Sequence, residues 1–334
     1  MKIQEINARL AGLAVFRGLR EDPVLADYAA LIRALAQGPA LDVCEAAGRF
    51  EAGLFAADTS DLSEYIASAV LECENICARR AARGQLSPAL EQALDGELRF
   101  LEELSGLGLD DLLDAAGLDA GQKAAYAFLP RWEAHPTGLA GAYKARLSEM
   151  GQVGYGMFAR HHVFMLDGEG RLTPVRHPDP QRLADLPGYE REREKILANT
   201  RGLLAGLPAN NVLLYGDAGT GKSSAVKAIA NEYAPQGLRL VEVKKNQLYL
   251  LPDLMDQLAA NPLKFILFID DLSFASNDDN FAALKAILEG SAGGRAGNIA
   301  VYATSNRRHL VKETFTDRAG DDLHEADTRQ ELMS

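Results

Sequence analysis

Gly216-Asp217-Ala218-Gly219-Thr220-Gly221-Lys222-Ser223 is the stretch of sequence that decides the fold. It fits the phosphate-loop pattern G-x-x-x-x-G-K-[ST] at every fixed position. The apolar run NVLLY precedes it at 211–215, and a helical pattern of apolar residues follows over 224–233. Because backbone N–H groups of such a loop and the helix N-terminus converge on phosphate oxygens, the stretch predicts a nucleoside triphosphate site.

The residue types inside the loop predict separate roles. Glycines let the backbone approach the phosphates closely, the Lys222 ammonium reaches the β- and γ-phosphates, and the Ser223 hydroxyl ligates Mg²⁺. We expect nucleotide contacts from every residue of the loop and the first helical turn: Gly216, Asp217, Ala218, Gly219, Thr220, Gly221, Lys222, Ser223 and Ser224. The alternative is an ordinary glycine-rich turn, which the flanking strand and helix disfavour.

Composition bounds the class of protein. The 334 residues leave room for about two domains. The net charge of −12 argues against binding nucleic acid over the whole surface, although it leaves room for a local basic patch. Without a signal-peptide pattern or a long apolar run, we expect a cytoplasmic protein with no membrane association. Cys73 and Cys77 have helical i, i+4 spacing and are expected to be buried or half-buried thiols rather than metal ligands.

The chain divides by pattern into four parts. Residues 1–150 show helical segments, for example over 61–83 and 88–104, and predict a helical domain. Residues 151–180 predict a hairpin, with strands over 158–165 and 172–175, and then a linker. Residues 181–312 form the predicted nucleotide-binding core, and 313–334 form a polar tail.

Within the core, short apolar runs alternate with helical segments. We predict strands over 238–243, 265–269 and 299–304, and helices over 247–260 and 280–289. This alternation indicates an α/β fold, in which a parallel sheet is covered by helices on both faces. The ligand is then expected at the carboxyl ends of the strands.

Two of these strands end in residues that suit metal and water chemistry. The run KFILFI at 264–269 is followed by Asp270, which we expect to hold Mg²⁺ opposite Ser223, and by Asp271, a candidate general base. The strand over 299–304 leads to Asn306, which is expected to position the attacking water. The alternatives are a polar turn after the first strand and a helix cap after the second.

These motifs together resemble the AAA+ ATPases. The phosphate loop, the Asp-Asp strand and the strand leading to Asn match Walker A, Walker B and sensor 1 in order and spacing. Particular segments, such as PANNVLLYG at 208–216 and ATSNRRHL at 303–310, resemble the bacterial AAA+ proteins of domain-of-unknown-function family 815. The resemblance implies an ATPase with ATP and Mg²⁺ as cofactors, a homo-oligomer formed through the core, and adenine contacts from Gly188 and Tyr189.

The chain departs from the usual AAA+ pattern in two places. Asp271 stands where most members have Glu, and the shorter side chain predicts slow hydrolysis. After Leu310 only a polar stretch remains, so we expect a core without the helical lid, its sensor 2 and the arginine finger that normally precedes the lid.

Three functions fit this sequence to different degrees. We favour an ATPase that remodels or loads an unknown macromolecular partner, with a protein partner held by the N-terminal helices. The alternative is a nucleotide-dependent binding or scaffold module with little turnover, and a phosphate-loop kinase is less favoured because the Asp-Asp strand and Asn306 argue against it. Arg307, Arg308 and His309, with Lys244-Lys245, form a candidate basic patch, but nucleic-acid contact is not favoured in so acidic a chain.

Overall fold

The computed structural model describes residues 1–272 and 296–306. The chain divides into two compact units between Arg160 and His161. The predicted helix over 280–289, the residues Arg307, Arg308 and His309, and the polar tail lie outside the described residues. Within the described ranges, no helix has both the length and the apolar character needed to cross a membrane.

The first unit is built from helices throughout residues 1–160. Its α-helices are α1 (Ile3–Ala11), α2 (Pro23–Gln37), α3 (Ala40–Ala56), α4 (Leu62–Glu72), α5 (Ile76–Ala81), α6 (Pro88–Ser105), α7 (Leu109–Ala115), α8 (Ala120–Ala124), α9 (Leu139–Ser148), α10 (Met150–Val153) and α11 (Met157–Arg160). A short 3₁₀ helix, Arg17–Glu21, connects α1 to α2.

Polar side chains at the N-caps decide where these helices begin. Asp22 accepts a hydrogen bond from the N–H of Leu25 ahead of α2, and Asp61 caps α4 in the same way. The predicted helix over 61–83 is wrong as one element, because the Asn75 side chain caps a new helix and α4 ends at Glu72.

This break separates Cys73 from Cys77. Cys73 is the C-cap residue of α4 and Cys77 lies inside α5, so the two thiols do not share one helix face. Cys77 is buried and Cys73 is half-buried, as the sequence predicts. Burial raises the pKa of each thiol to about 11, so both are protonated at neutral pH.

An aromatic cluster forms part of the core of the first unit. The ring of Phe50 lies 4.9 Å from that of Tyr28 and 4.9 Å from that of Trp132, measured between centroids. The Trp132 indole N–H donates to the carbonyl of Leu107 at 3.0 Å. Glu51, the residue after Phe50, is only 4% exposed, and its Oε1 has no hydrogen-bond partner. Desolvation raises the pKa of this carboxyl group.

The second unit contains a single described sheet with helices packed on it. Its elements are β1 (Val163–Leu166), β2 (Leu172–Pro174), α12 (Glu190–Leu204), β3 (Val212–Tyr215), α13 (Lys222–Tyr233), β4 (Leu238–Glu242), α14 (Leu251–Ala259), β5 (Lys264–Ile269) and β6 (Ile299–Ser305). Among the described strands the order is β2-β1-β4-β5-β6-β3. Of the strands that the structure describes, only β1 and β2 pair antiparallel, so the α/β class with a mostly parallel sheet is confirmed.

The hairpin predicted within 151–180 is part of this sheet. Val163 of β1 pairs in parallel with Leu240 of β4, and β2 returns beside β1 at the sheet edge. Helix α11 occupies the start of the segment predicted as a strand over 158–165. The boundary between the compact units therefore lies ahead of the hairpin rather than after it.

Strand β6 carries a hydrogen-bonded link to helix α12. The Tyr302 side chain is fully buried, and its hydroxyl lies 3.0 Å from Asn199 Nδ2 and 2.9 Å from Thr200 Oγ1. The amide of Asn199 also pairs with both backbone groups of Asn210, just ahead of β3. These contacts hold α12 and the entry to β3 against the sheet.

Candidate nucleotide and metal site

The loop between β3 and α13 has the conformation that its glycines permit. Gly216, Gly219 and Gly221 have φ values of 147°, 80° and 79°. A Cβ atom at any of the three would meet no atom within 4 Å, so the need for glycine is conformational rather than steric. Helix α13 starts at Lys222, immediately after the left-handed Gly221. Its first N–H groups are thus presented at the end of the loop.

The Lys222 side chain folds back into the loop. Its Nζ donates to the carbonyl oxygens of Gly216 at 2.9 Å and of Asp217 at 2.7 Å. The Thr220 hydroxyl donates to the same Asp217 carbonyl at 2.9 Å. The ammonium group therefore lies in the concave side of the backbone, where the predicted phosphates would be received.

Sheet order brings the loop and the acidic residues together. Strands β3, β5 and β6 are mutually parallel, and β6 lies between the other two. Their carboxyl ends therefore meet at one edge of the sheet. The N–H of Gly216 donates to the carbonyl of Ser305 at 3.3 Å, which fixes the start of the loop to the end of β6.

One carboxylate oxygen of Asp270 accepts hydrogen bonds from two hydroxyl groups at this edge of the sheet. The hydroxyl of Ser223 donates to Asp270 Oδ1 at 2.6 Å, and the hydroxyl of Thr304 donates to it at 2.5 Å. The structure thus brings together the two residues predicted to hold Mg²⁺, one from α13 and one from the end of β5.

Asp271 has an unusual backbone conformation for a residue with a side chain. Its φ of 52° lies in the left-handed region, which Asp adopts more readily than most residues other than glycine. Its N–H donates to Thr304 Oγ1 at 2.9 Å, and its Oδ1 accepts from Asn306 Nδ2 at 3.0 Å. Two neighbouring side chains from the end of β6 and the residue after it thus fix both the backbone and the carboxylate of Asp271.

Thr304 is the residue at this edge that the sequence reasoning did not select. Its hydroxyl contacts both acids, accepting from the Asp271 N–H and donating to Asp270. Its carbonyl accepts from the N–H of Leu272 at 2.7 Å. The available signal was a polar residue near the end of a buried strand, and at 2% exposure its hydroxyl needs partners inside the protein.

The structure places Gly188 and Tyr189 at the start of α12. Both have left-handed backbones, and the guanidinium of Arg193 donates to the carbonyls of Gly188 and Leu186. The Tyr189 side chain is 58% exposed. A nearby cleft of about 460 Å³ lies between residues 178–184 and α13, but its lining does not include Gly188 or Tyr189.

The strand, glycine loop and helix give the chain the phosphate-loop arrangement within an α/β fold. The family described as "Protein of unknown function (DUF815)" matches residues 159–334, more than half of the chain. The chain belongs to this family, as its sequence motifs indicate. No curated protein matches the sequence.

Several solved structures have a similar fold in part. They include a DNA replication initiation factor (18% identity over 42% of this chain and 47% of that one, TM-score 0.30) and PCH-2 of C. elegans (20% identity, 41% and 42%, TM-score 0.30). AMPPCP-bound DnaA from Aquifex aeolicus has 17% identity over 43% of this chain and 49% of that one, with a TM-score of 0.30. The chain spans less than half of the length of each of these three structures.

Proposed function

We propose that this protein is an AAA+-type ATPase that binds ATP with Mg²⁺ at residues 216–224 and hydrolyses it at the carboxyl edge of the sheet. The observation that carries the proposal is the meeting of Ser223 and Asp270 beside the phosphate loop, with their oxygens 2.6 Å apart. A hydroxyl and a carboxylate at one point are the ligands that Mg²⁺ uses when phosphates and waters complete its shell.

The residues present fit the metal and the triphosphate. Ser223 Oγ and Asp270 Oδ1 supply hard oxygen donors, and bound Mg²⁺ would offset the charge of the phosphate oxygens. Lys222 exchanges its hydrogen bonds to the loop carbonyls for bonds to phosphate, which is a stronger acceptor. The loop backbone receives the remaining phosphate oxygens through its N–H groups.

Asp271 and Asn306 supply the groups that hydrolysis requires. The Asp271 carboxylate accepts a proton from the attacking water, and the Asn306 amide, 3.0 Å from Asp271 Oδ1, holds that carboxylate and the water in place. Thr304 acts through both acids by fixing the Asp271 N–H and the Asp270 oxygen. Because Asp271 is one methylene shorter than Glu, we expect slow turnover.

The wider role that we propose is remodelling or loading of a macromolecular partner. The first unit would hold a protein partner, and copies of the second unit would associate into an oligomer, as the resemblance to AAA+ proteins implies. A nucleotide-dependent binding module with little turnover is the second candidate, and the short Asp271 side chain favours it, since a base one methylene shorter than Glu is expected to slow hydrolysis.

ATP binding and turnover in three forms of the chain test the proposal. The wild type, Lys222→Ala and Asp271→Asn are compared by fluorescent-nucleotide titration and by phosphate release, with and without Mg²⁺ and single-stranded DNA. We expect Lys222→Ala to lose affinity for ATP and Asp271→Asn to bind ATP with little turnover. The first variant removes a phosphate contact and the second removes only the base.

The outcomes separate the candidates. Turnover that survives Lys222→Ala contradicts the assignment of the site. Tight, Mg²⁺-dependent binding without turnover in the wild type supports the binding module, and stimulation by DNA supports a nucleic-acid partner.

A further inference from the structure

The first unit contains a cavity of about 120 Å³ with an apolar floor. Helices α2, α4 and α6 and the segment after α1 form this floor. Its buried side chains include Leu13, Leu25, Tyr28, Ile66 and Leu101, each at most 9% exposed. Exposed residues also line the cavity, so it opens to solvent and its apolar floor is accessible to a small ligand.

The mouth of the cavity is polar and cationic. Asn7, Arg20 and Arg33 line it at the solvent side, where both arginines are exposed. Ala29, which is half-buried, also lines the cavity. Across residues 1–272 and 296–306, neither arginine forms an ion pair, and Arg20 makes only a 3.4 Å hydrogen bond to the carbonyl of Ala11.

The two features together select a class of ligand. An apolar cavity of about 150 Å³ in a protein core stays dry and binds benzene, so the floor suits a ring or short alkyl chain of that size. Guanidinium groups bind carboxylates through paired, charge-assisted hydrogen bonds. A molecule with an apolar body and one carboxylate satisfies the floor and the mouth at once.

We propose that the first unit binds a small organic acid, with its apolar body in the cavity and its carboxylate at Arg20 and Arg33. The residues of this site belong to the first unit and precede the part of the chain that matches the family. Benzoate and hexanoate are suitable probes because each joins a body of about the cavity's size to a single carboxylate.

Methyl NMR of the full chain, titrated with benzoate and with the neutral benzyl alcohol, tests this site. We expect the leucine methyl signals of the floor to shift with benzoate at millimolar concentrations. Arg20→Gln with Arg33→Gln should weaken benzoate binding about tenfold, since two exposed charge contacts are lost, and should leave benzyl alcohol binding unchanged. Ala29→Leu should weaken binding of both probes because its larger side chain takes up part of the cavity.

Two results would overturn the proposal. One is the absence of floor shifts in the wild type at millimolar benzoate. The other is equal benzoate affinity in the wild type and in the double arginine variant, which would leave the mouth without a role. The double variant changes only exposed side chains, so its fold, checked by circular dichroism, is expected to match the wild type.

Discussion

Thr304→Val removes the hydroxyl that joins the two acids at the edge of the sheet and keeps the shape of the side chain. Two hydrogen bonds are lost, one from the Asp271 N–H at 2.9 Å and one to Asp270 Oδ1 at 2.5 Å. Because Thr304 is only 2% exposed, water does not take the place of the hydroxyl without rearrangement.

The size of the effect follows from these contacts. A buried N–H left unpaired costs about 1–3 kcal/mol, but the Asp271 N–H keeps a second acceptor in Asp270 Oδ1 at 3.1 Å, which favours the lower end. The lost bond to the exposed Asp270 adds about 1 kcal/mol. We therefore expect the free energy of unfolding to fall by about 2 kcal/mol. If about 1.4 kcal/mol of this loss reaches the transition state through a displaced Asp271, turnover falls about tenfold.

Urea unfolding and steady-state ATP turnover of the same preparations measure the two effects. Thr304→Ser is the matched control: it keeps the hydroxyl and should keep wild-type turnover, while the loss of one buried methyl group should lower the free energy of unfolding by only about 1 kcal/mol. The affinity for ATP should not change, because the phosphate loop and Lys222 are intact in both variants. Wild-type stability and kcat in Thr304→Val would refute the reasoning, and a change in KM alone would place the effect in nucleotide binding.

Three further predictions concern backbone strain, a buried charge and pH. Gly221→Ala places a side chain at a φ of 79° and should lower the free energy of unfolding by about 1 kcal/mol and weaken ATP binding. Gly96→Ala, inside α6, is its control and should raise the free energy of unfolding by about 0.5–1 kcal/mol in the same urea titration. Glu51→Gln should stabilise the chain by about 1 kcal/mol at pH 7, because burial raises the pKa of the Glu51 carboxyl and makes its ionised form unfavourable in the folded state. The gain should shrink as the pH falls toward the ordinary pKa of Glu, and a pH-independent gain would contradict this cause. The hydrogen bond to Asp61 raises the pKa of His135, so stability should decline as the pH rises through that pKa, and His135→Gln should flatten this part of a thermal-unfolding profile.

The central strands of the second unit were predictable because their signals are local. The buried run Phe265–Ile269 has no polar residue, and its continuous apolar character is typical of a strand covered on both faces. The glycine pattern over 216–221 also needs no partner in order to be recognised. Both segments can therefore be recognised from their own residues alone.

Features that depend on distant partners were harder to predict. The pairing of β1 with β4 joins residues about 77 positions apart, and nothing within β1 specifies that neighbour. The role of Thr304 likewise becomes visible only when β5 and β6 stand side by side, so that one hydroxyl reaches both acids. The helix break at Asn75 was missed because a cap competes with an otherwise continuous helical pattern.

The link between Tyr302 and α12 gives β6 a second part in the proposed site. The strand ends at Ser305, directly before Asn306, the residue proposed to hold the attacking water. Its Tyr302 hydroxyl is bonded to helix α12, whose N-cap residue Tyr189 is the expected adenine contact. On this assignment, a single strand is connected to both ends of the bound nucleotide, to the base through α12 and to the terminal phosphate through Asn306. A displacement of β6 would therefore change the contacts to the base and the contacts to the terminal phosphate at the same time.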